Sequence, residues 1–252
     1  MFLLAKRWNE SINPTGYLIS EKLDGFRCHW NSKQLISRGR NGQLGNVISC
    51  PSWFTADLPN EALDGEIWAG RGQRDKVASA VKGSRERDWV DVIYSVFDVP
   101  NYNQPFERRI DRAKLLLKKS KHGIVIPFWM CCGKGHLLDQ LDQVVGSGGE
   151  GLMLRKPWSM YEHKRSDTLL KVKKRYDAEA VVIGHVEGTR PGLCGSLRVV
   201  TKDGKEFKVG SGMTEAMAHN PPKIGTIITY EWESLTKDDI PNPAFFLRIW
   251  ER

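Results

Sequence analysis

The chain has 252 residues, of which 40% are hydrophobic and nine are tryptophan, a composition that excludes a disordered protein and allows one large or two small folded domains. Basic residues exceed acidic ones by eight, which favours a polyanionic partner such as nucleic acid, although a merely soluble basic protein would have the same balance. No segment is long and apolar enough to span a membrane, and five cysteines without a C-x-x-C spacing give no sign of structural zinc.

The apolar start of the chain, residues 1–5, is too short for the apolar region of a signal peptide. We therefore expect a cytoplasmic protein. A periplasmic protein whose leader has been removed would look the same.

The first notable stretch is residues 20–27, which read Ser-Glu-Lys-Leu-Asp-Gly-Phe-Arg. Lys22 follows a short predicted strand (17–20) and precedes an Asp-Gly turn, after which residues 26–30 and 34–37 are typical of a hairpin. A lysine attacks phosphorus only as a free amine, and because the ordinary lysine pKa is about 10.4, burial or nearby cations would have to lower it. By itself the stretch is more typical of an exposed lysine beside a turn.

A basic, glycine-spaced turn follows at residues 37–42, and it is either a solvated loop or a set of donors facing a phosphate. A short helix is predicted near residues 51–58. The next predicted strand, 63–68, carries Asp64 and Glu66, and buried carboxylates need a cation, a metal or hydrogen-bond donors. A helix follows to about Lys82. Residues 90–99 form a strong strand signal that contains Phe97, either as a core side chain or as a stacking platform.

Two helices are predicted at residues 106–120 and 136–145, with a strand at 124–126 between them. Glu150 opens a strand that runs to residue 155, and a polar loop covers 156–167. Residues 169–175 then alternate apolar and basic side chains, which places Lys171 and Lys173 on one face of a strand. Such a row of lysines faces solvent or a phosphate.

The pattern changes near residue 176, beyond which helical signals fade. Short strands are predicted at 178–185, 196–201, 205–210, 226–233 and 245–250, with a short helix at 214–219. Five strands over about 75 residues suit a small barrel of the OB type, and the alternative is a small sandwich.

Taken in chain order, the motifs are Lys22-Leu-Asp-Gly25, Asp64-Gly-Glu66, Phe97-Asp98, Glu150-Gly-Leu-Met153 and Lys171-Val-Lys173. This series resembles the covalent nucleotidyltransferase superfamily of DNA ligases, RNA ligases and capping enzymes. Within it the chain is most similar to minimal bacterial ATP-dependent DNA ligases of the ligase E type. Further matches to that group are Arg165-Ser-Asp-Thr-Leu-Leu-Lys171, Gly210-Ser-Gly212 and Phe246-Leu-Arg248.

The resemblance implies an α+β protein: a nucleotidyltransferase (adenylation) domain of antiparallel sheets with flanking helices over residues 1–176, then an OB-fold barrel over 177–252. It implies ATP-dependent sealing of 5′-phosphate/3′-hydroxyl nicks in double-stranded DNA by a monomer, through a lysyl-AMP and a DNA-adenylate, in DNA repair or replication. ATP and Mg²⁺ (or Mn²⁺) would be required.

The resemblance also assigns site residues. Lys22 is the expected nucleophile, Asp24 orients it, and Lys171 and Lys173 bind the nucleotide phosphate. The remaining residues expected at ATP or AMP are Ser20, Glu21, Arg27, Glu66, Phe97 and Arg248. Glu150 and Glu66 are the expected metal ligands, and the expected DNA contacts are Arg38, Arg40, Arg155 and Arg165.

Two departures from the larger relatives stand out. Trp250 occupies the place of a second basic residue after Arg248, so Arg248 or Arg252 would meet the ATP pyrophosphate alone. The chain also lacks the separate N-terminal DNA-binding domain of large ligases, so the two core domains would grip DNA, largely through phosphates. NAD is disfavoured as the cofactor. The alternatives are an RNA ligase, a capping-type guanylyltransferase, and a nucleic-acid-binding relative that has lost catalysis.

Overall fold

A computed structural model describes residues 1–83, 85–236 and 238–250. The chain divides into two compact units, one from Met1 to Lys173 and one from Lys174 onward. Among the described residues, no helix has the length and apolar character needed to cross a membrane.

The first unit contains two β-sheets. Its strands are β1 (Leu4–Arg7), β2 (Leu18–Glu21), β3 (Phe26–Trp30), β4 (Leu35–Arg38), β5 (Leu44–Ile48), β6 (Leu63–Trp68), β7 (Ile93–Asp98), β8 (Gly123–Val125), β9 (Trp129–Met130), β10 (Leu152–Arg155) and β11 (Arg165–Val172). One sheet has the order β1-β11-β10-β2-β9 and the other β5-β4-β3-β6-β7-β8. Neighbouring strands are antiparallel except for the pairs β1/β11 and β7/β8, which are parallel.

Helices of the first unit are α1 (Ser52–Thr55), α2 (Arg74–Lys82), α3 (Phe106–Leu116) and α4 (Lys134–Gly146). The sheet of β3, β6 and β7 contributes Leu63, Ile67 and Tyr94 to a buried cluster that also takes side chains from α2 and α3. The sheet of β2, β10 and β11 packs Ile19 and Leu154 with apolar side chains of α4. Each sheet therefore has its own core, and burial of these side chains is the main force holding it.

The connection from β2 to β3 joins the two sheets, because β2 belongs to the first sheet and β3 to the second. Lys22 lies in this connection, directly after β2. The topology thus brings the Lys22 stretch to a position where side chains from both sheets can reach it.

The second unit is a barrel. Its elements are β12 (Tyr176–Glu187), β13 (Cys194–Val200), β14 (Glu206–Val209), α5 (Glu215–His219), β15 (Ile227–Trp232) and β16 (Ala244–Ile249), and its strand order is β14-β13-β12-β15-β16. A parallel bridge between Ser211, just after β14, and Phe245 closes the ends of the sheet, and the Phe246 N–H donates to the Ser211 carbonyl at 2.7 Å. Alternating apolar residues such as Val182, Leu197 and Ile228 fill the interior. The OB-type prediction is confirmed.

Most predicted elements are present with bounds shifted by a few residues. The predicted helices at 51–58 and 106–120 are shorter, as α1 and α3, and the 90–99 strand begins only at Ile93, after a 3₁₀ turn over Glu86–Trp89. β1, β5 and β9 were not predicted. They are two to five residues long and lie within stretches that lack the alternation on which a strand prediction depends.

Candidate active site

A cavity of about 970 Å³ opens between the two sheets of the first unit. Among the residues predicted from the sequence, those that line it are Ser20, Glu21, Lys22, Arg27, Arg38, Arg40, Glu66, Phe97, Glu150, Arg155, Arg165, Lys171 and Lys173. Its volume is in the range of small-molecule sites. Residues 150 positions apart in the chain are thus brought to one place.

Lys22, Glu150 and Lys173 form the centre of this cavity. Glu150 Oε2 makes an ion pair with Lys22 Nζ, and Glu150 Oε1 lies 2.7 Å from Lys173 Nζ. Burial alone would raise the pKa of Glu150, but the two lysine ammonium groups outweigh it, and the pKa is lowered. One carboxylate therefore holds two cations, Lys22 and Lys173.

Two glycines fix the backbone around Lys22. A Cβ at Gly25 would lie 2.2 Å from the Ile67 carbonyl oxygen of β6, which no side chain could tolerate without a backbone shift. Gly151 has φ +148°, and a Cβ there would lie 2.4 Å from the Val172 carbonyl oxygen. Because the Lys22 N–H donates to the Gly151 carbonyl at 2.8 Å, this close packing ties the Lys22 backbone to the residue next to Glu150.

Strand register places Lys171 beside this centre. Ser20 pairs with Met153 across β2/β10, and Met153 pairs with Lys171 across β10/β11, so the three side chains lie in one row across the sheet. Burial is the largest cause that lowers the pKa of Lys171, and the charges of Lys173 and Lys22 lower it further. The predicted common face of Lys171 and Lys173 is confirmed, since both line the cavity.

Glu66 reaches the same cavity from β6 of the other sheet. The pKa of Glu66 is raised to about 7, mainly by burial. The positive charges of Lys22 and Arg27 act to lower this pKa, and the negative charge of Glu150 acts to raise it. Glu66 on β6 and Glu150 just before β10 both line the cavity. Among the described residues, no group of three or more His, Cys, Asp or Glu side chains forms a metal-binding cluster.

Arg27 is held in the cavity by a buried network. Asp64 binds it with two hydrogen bonds, from Arg27 Nε at 3.0 Å and Nη2 at 2.7 Å, and the Tyr161 hydroxyl donates to Asp64 at 2.7 Å. The Arg27 guanidinium lies 5.3 Å from the Phe97 ring centroid. Phe97 is half-buried and lines the cavity. Tyr161 lies in the predicted loop 156–167 and was not among the expected site residues.

Arg155 differs from its predicted role. Its side chain is buried, Nη2 donates to Asp98 at 2.8 Å, and burial lowers its pKa to about 10. Arg109, fully buried on α3, binds the same Asp98 at 2.5 and 3.1 Å. These contacts hold Arg155 inside the fold, away from the exposed surface that the expected contact with DNA requires.

Arg38, Arg40 and Arg165 are exposed at the cavity, as a contact with a phosphate backbone requires. Arg165 Nη1 also donates to the Ala5 carbonyl. Arg248 is exposed on β16 of the second unit. Arg252, the alternative to Arg248 at the pyrophosphate, lies outside the described residues.

Two arginines that follow β6 contact the Lys22 stretch. Arg71 binds both oxygens of Glu21 at 2.8 Å, and Arg74 makes an ion pair with Asp24. Both carboxylate oxygens of Glu21 are thus occupied by Arg71. The sequence shows Arg71 and Arg74 only as charges before a helix, because nothing in it reveals a contact across 50 residues.

The two-sheet unit with this lysine–carboxylate centre, followed by an OB-fold barrel, has the architecture of a nucleotidyltransferase. Residues 3–173 match the family described as ATP dependent DNA ligase domain, and residues 187–249 match the DNA ligase OB-like domain. The chain belongs to the ATP-dependent DNA ligase family.

Individual relatives agree with this assignment. A DNA ligase of Haemophilus influenzae is 35% identical over 237 residues, which cover 92% of this chain and 86% of that protein. A solved structure of a Lig E DNA ligase has a TM-score of 0.86 and 37% identity, with 99% of this chain and 98% of that chain covered. The DNA ligase-adenylate of Chlorella virus, at 23% identity and a TM-score of 0.57 over 100% and 98% of the two chains, is similar in fold. The predicted resemblance, fold class and enzyme class are confirmed, and the comparisons do not favour the RNA ligase, capping or inactive alternatives.

Proposed function

We propose that this ATP-dependent DNA ligase seals nicks in double-stranded DNA, with Lys22 as the nucleophile. The observation that supports this most directly is the ion pair of Lys22 with Glu150, whose other oxygen holds Lys173, within a cavity large enough for a nucleotide. A lysine amine, a shared carboxylate and further cations are the groups that attack on a charged phosphorus centre requires.

In the first step, Lys22 Nζ forms a bond to the α-phosphorus of ATP, the bond to the bridging oxygen breaks, and pyrophosphate leaves. Lys171 and Lys173 would neutralise the phosphate charge, and the charge of Lys173 adds to burial in lowering the pKa of Lys171. Asp24, two residues from Lys22, would orient the Lys22 stretch. In the second step an oxygen of the DNA 5′-phosphate attacks the AMP phosphorus and releases Lys22. In the third step the 3′-hydroxyl attacks the 5′-phosphate and displaces AMP.

The nucleotide would lie between the two sheets. Phe97 would stack on adenine, Ser20 and the Glu21 backbone would read the base edge, and Arg27 would meet the ribose or phosphate. The hydrogen bonds that Arg27 donates to Asp64 keep the guanidinium at a fixed angle, which supports a positioning role for that network. Arg248 of the second unit would contact the pyrophosphate.

A divalent cation, Mg²⁺ or Mn²⁺, would be held by Glu66 and Glu150. The carboxylates of Glu66 and Glu150 carry like charges that a cation would offset. Such a cation is commonly bound by one or two carboxylates, with water and substrate phosphates as its other ligands. When bound, the ion would neutralise charge that develops on the phosphates.

The grip on DNA would come mainly from the first unit. Residues 174–252 contain eleven basic and eleven acidic residues, so the whole excess of positive charge lies in residues 1–173. Arg38, Arg40 and Arg165 are its exposed candidates, and affinity for a nick should therefore fall steeply as salt rises. We propose residues 1–176 as the adenylation domain, 177–252 as the OB-fold domain, and a monomer as the active form.

Mass spectrometry after incubation with ATP and Mg²⁺ tests the central claim. The protein should gain the mass of AMP and then seal nicked DNA, while Lys22→Ala should gain nothing. No gain in the native protein, or an unchanged gain in Lys22→Ala, would refute the assignment of Lys22. Preference for GTP or for nicked RNA would refute the substrate assignment.

A further inference from the structure

Arg74 is a cation of the cavity that the reaction outlined above does not use. It is the first residue of α2, and its side chain lines the same cavity as Lys22. The guanidinium makes an ion pair with Asp24 and lies 5.9 Å from the Phe26 ring centroid. It therefore lies beside the turn that carries the nucleophile.

The carboxylates around Arg74 belong to the reaction centre. The hydrogen bond to Asp24 is the largest cause that raises the pKa of Arg74, and the charges of Glu150 and Glu66 raise it further. Arg74 is thus within electrostatic range of three carboxylates. A polyphosphate that approaches this edge of the cavity meets the same negative charges and needs a cation to offset them.

The Arg74–Asp24 pair is exposed, unlike the other arginine pairs of the cavity. The Arg74 side chain is 58% exposed and that of Asp24 35%, whereas Arg27 and its partner Asp64 are 14% and 0% exposed. An exposed ion pair contributes little to stability, so it opens readily, while a buried pair does not. Arg74 can change partner without disturbing the fold.

We propose that Arg74 is a phosphate-binding residue of the ligation reaction, which exchanges the carboxylate of Asp24 for a phosphate of the substrate. A guanidinium can bind a phosphate with the same bidentate geometry with which it binds a carboxylate, so a phosphate can take the place of the Asp24 carboxylate. It also releases Asp24 next to Lys22. This inference rests on the proposed function, and the phosphate is either that of the ATP triphosphate or that of the DNA backbone.

Arg74→Ala separates these sources when two reactions are measured. One is adenylation of the protein at varied ATP concentration; the other is sealing of a nick that already carries AMP, without ATP and at varied salt. If the triphosphate is the partner, the KM for ATP rises at least fivefold with a smaller change in kcat. If DNA is the partner, the adenylated nick binds at least fivefold more weakly, and the slope of log affinity against log salt falls by about one.

Arg85→Ala is the matched control, because Arg85 forms an exposed ion pair with Asp88 and is not among the cavity-lining residues. It should behave as the native protein in both reactions. Arg74→Lys keeps the charge and should recover part of the loss, and it serves as the test variant if Arg74→Ala does not fold.

The proposal is overturned if Arg74→Ala matches Arg85→Ala in both reactions. A fall in kcat alone, without a change in KM or in the salt slope, would also overturn it, because that result indicates a structural effect on Asp24. If the native protein and Arg85→Ala themselves gain no AMP, the proposed ligase function is refuted. That outcome differs from a loss confined to Arg74→Ala, so the two claims are tested separately.

Discussion

Asp98→Asn should severely destabilise the first unit. The Asp98 carboxylate accepts hydrogen bonds from Arg109 at 2.5 and 3.1 Å, from Arg155 at 2.8 Å and from the Val99 N–H at 2.8 Å. The Arg109 side chain is 0% exposed and that of Arg155 4%. An amide keeps the shape but removes the negative charge, so two buried guanidinium groups lose their counter-ion.

Loss of one partner of a buried ion pair typically costs about 3–5 kcal/mol. Since each kcal/mol shifts the Tm of a domain of this size by about 2–4 °C, the expected fall in Tm is about 6–20 °C. Thermal denaturation followed by circular dichroism or differential scanning fluorimetry measures it, and nick binding is measured in parallel at a temperature where both proteins are folded.

Asp111→Asn is the control, because Asp111 pairs with Lys114 on the exposed face of α3, at 3.2 Å with both side chains more than half exposed. Its Tm should change by less than about 2 °C, as expected for an exposed pair. If Asp98→Asn also loses less than about 2 °C, or if it weakens nick binding with no loss of stability, the buried network is not structural and our reading of Arg155 is refuted.

Three further predictions concern the cavity. In EDTA, Glu66→Gln should be more stable than the native protein at pH 8 and equally stable at pH 4.5. Folding raises the pKa of Glu66 from 4.5 to about 7, so the native protein loses stability as pH rises through that window. Measuring the Tm of both proteins against pH tests this. Gly25→Ala should reduce AMP gain at least tenfold, since its Cβ would lie 2.2 Å from the Ile67 carbonyl oxygen and the Lys22 turn must shift. Tyr161→Phe should raise the KM for ATP about three- to tenfold with little change in kcat, because the network that orients Arg27 loses a hydrogen bond.

Each of these has a contrary outcome. Equal Tm–pH curves for Glu66→Gln and the native protein would show that Glu66 is not penalised by burial. Gly135→Ala on α4, where a Cβ meets nothing within 4 Å, should leave adenylation unchanged; if Gly25→Ala does the same, the close packing is unimportant. A Tyr161→Phe variant with native KM would show that Asp64 alone orients Arg27.

The strands that carry the motifs could be predicted from the sequence because the residues expected in the site also lie within the apolar patterns that indicate a strand. β6 carries Asp64 and Glu66 in a run that is otherwise apolar. At the end of β11 apolar residues alternate with Lys171 and with Lys173 just beyond the strand, so both strand and site follow from one observation. The barrel followed from short alternating strands between glycine-rich turns.

The partners of charged side chains could not be predicted in the same way. Arg155 stands in a strand beside a charged loop, which is typical of an exposed basic residue, and only the fold places it against Asp98. Arg71 and Arg74 reach their carboxylates across 50 residues. A sequence shows which charges exist, but which of them neutralise one another depends on packing between two sheets, and that packing is set by long-range burial of apolar side chains.

The carboxylate of Glu150, shared between Lys22 and Lys173, has a consequence for mutational data. Removing one lysine leaves the whole carboxylate to the other, so the two lysines are energetically coupled, and single substitutions will not report independent contributions. The effects of Lys22→Ala and Lys173→Ala on nucleotide affinity should therefore be non-additive. A double-mutant cycle over Lys22 and Lys173, repeated in the Glu150→Gln background, would measure how strongly the three residues are coupled.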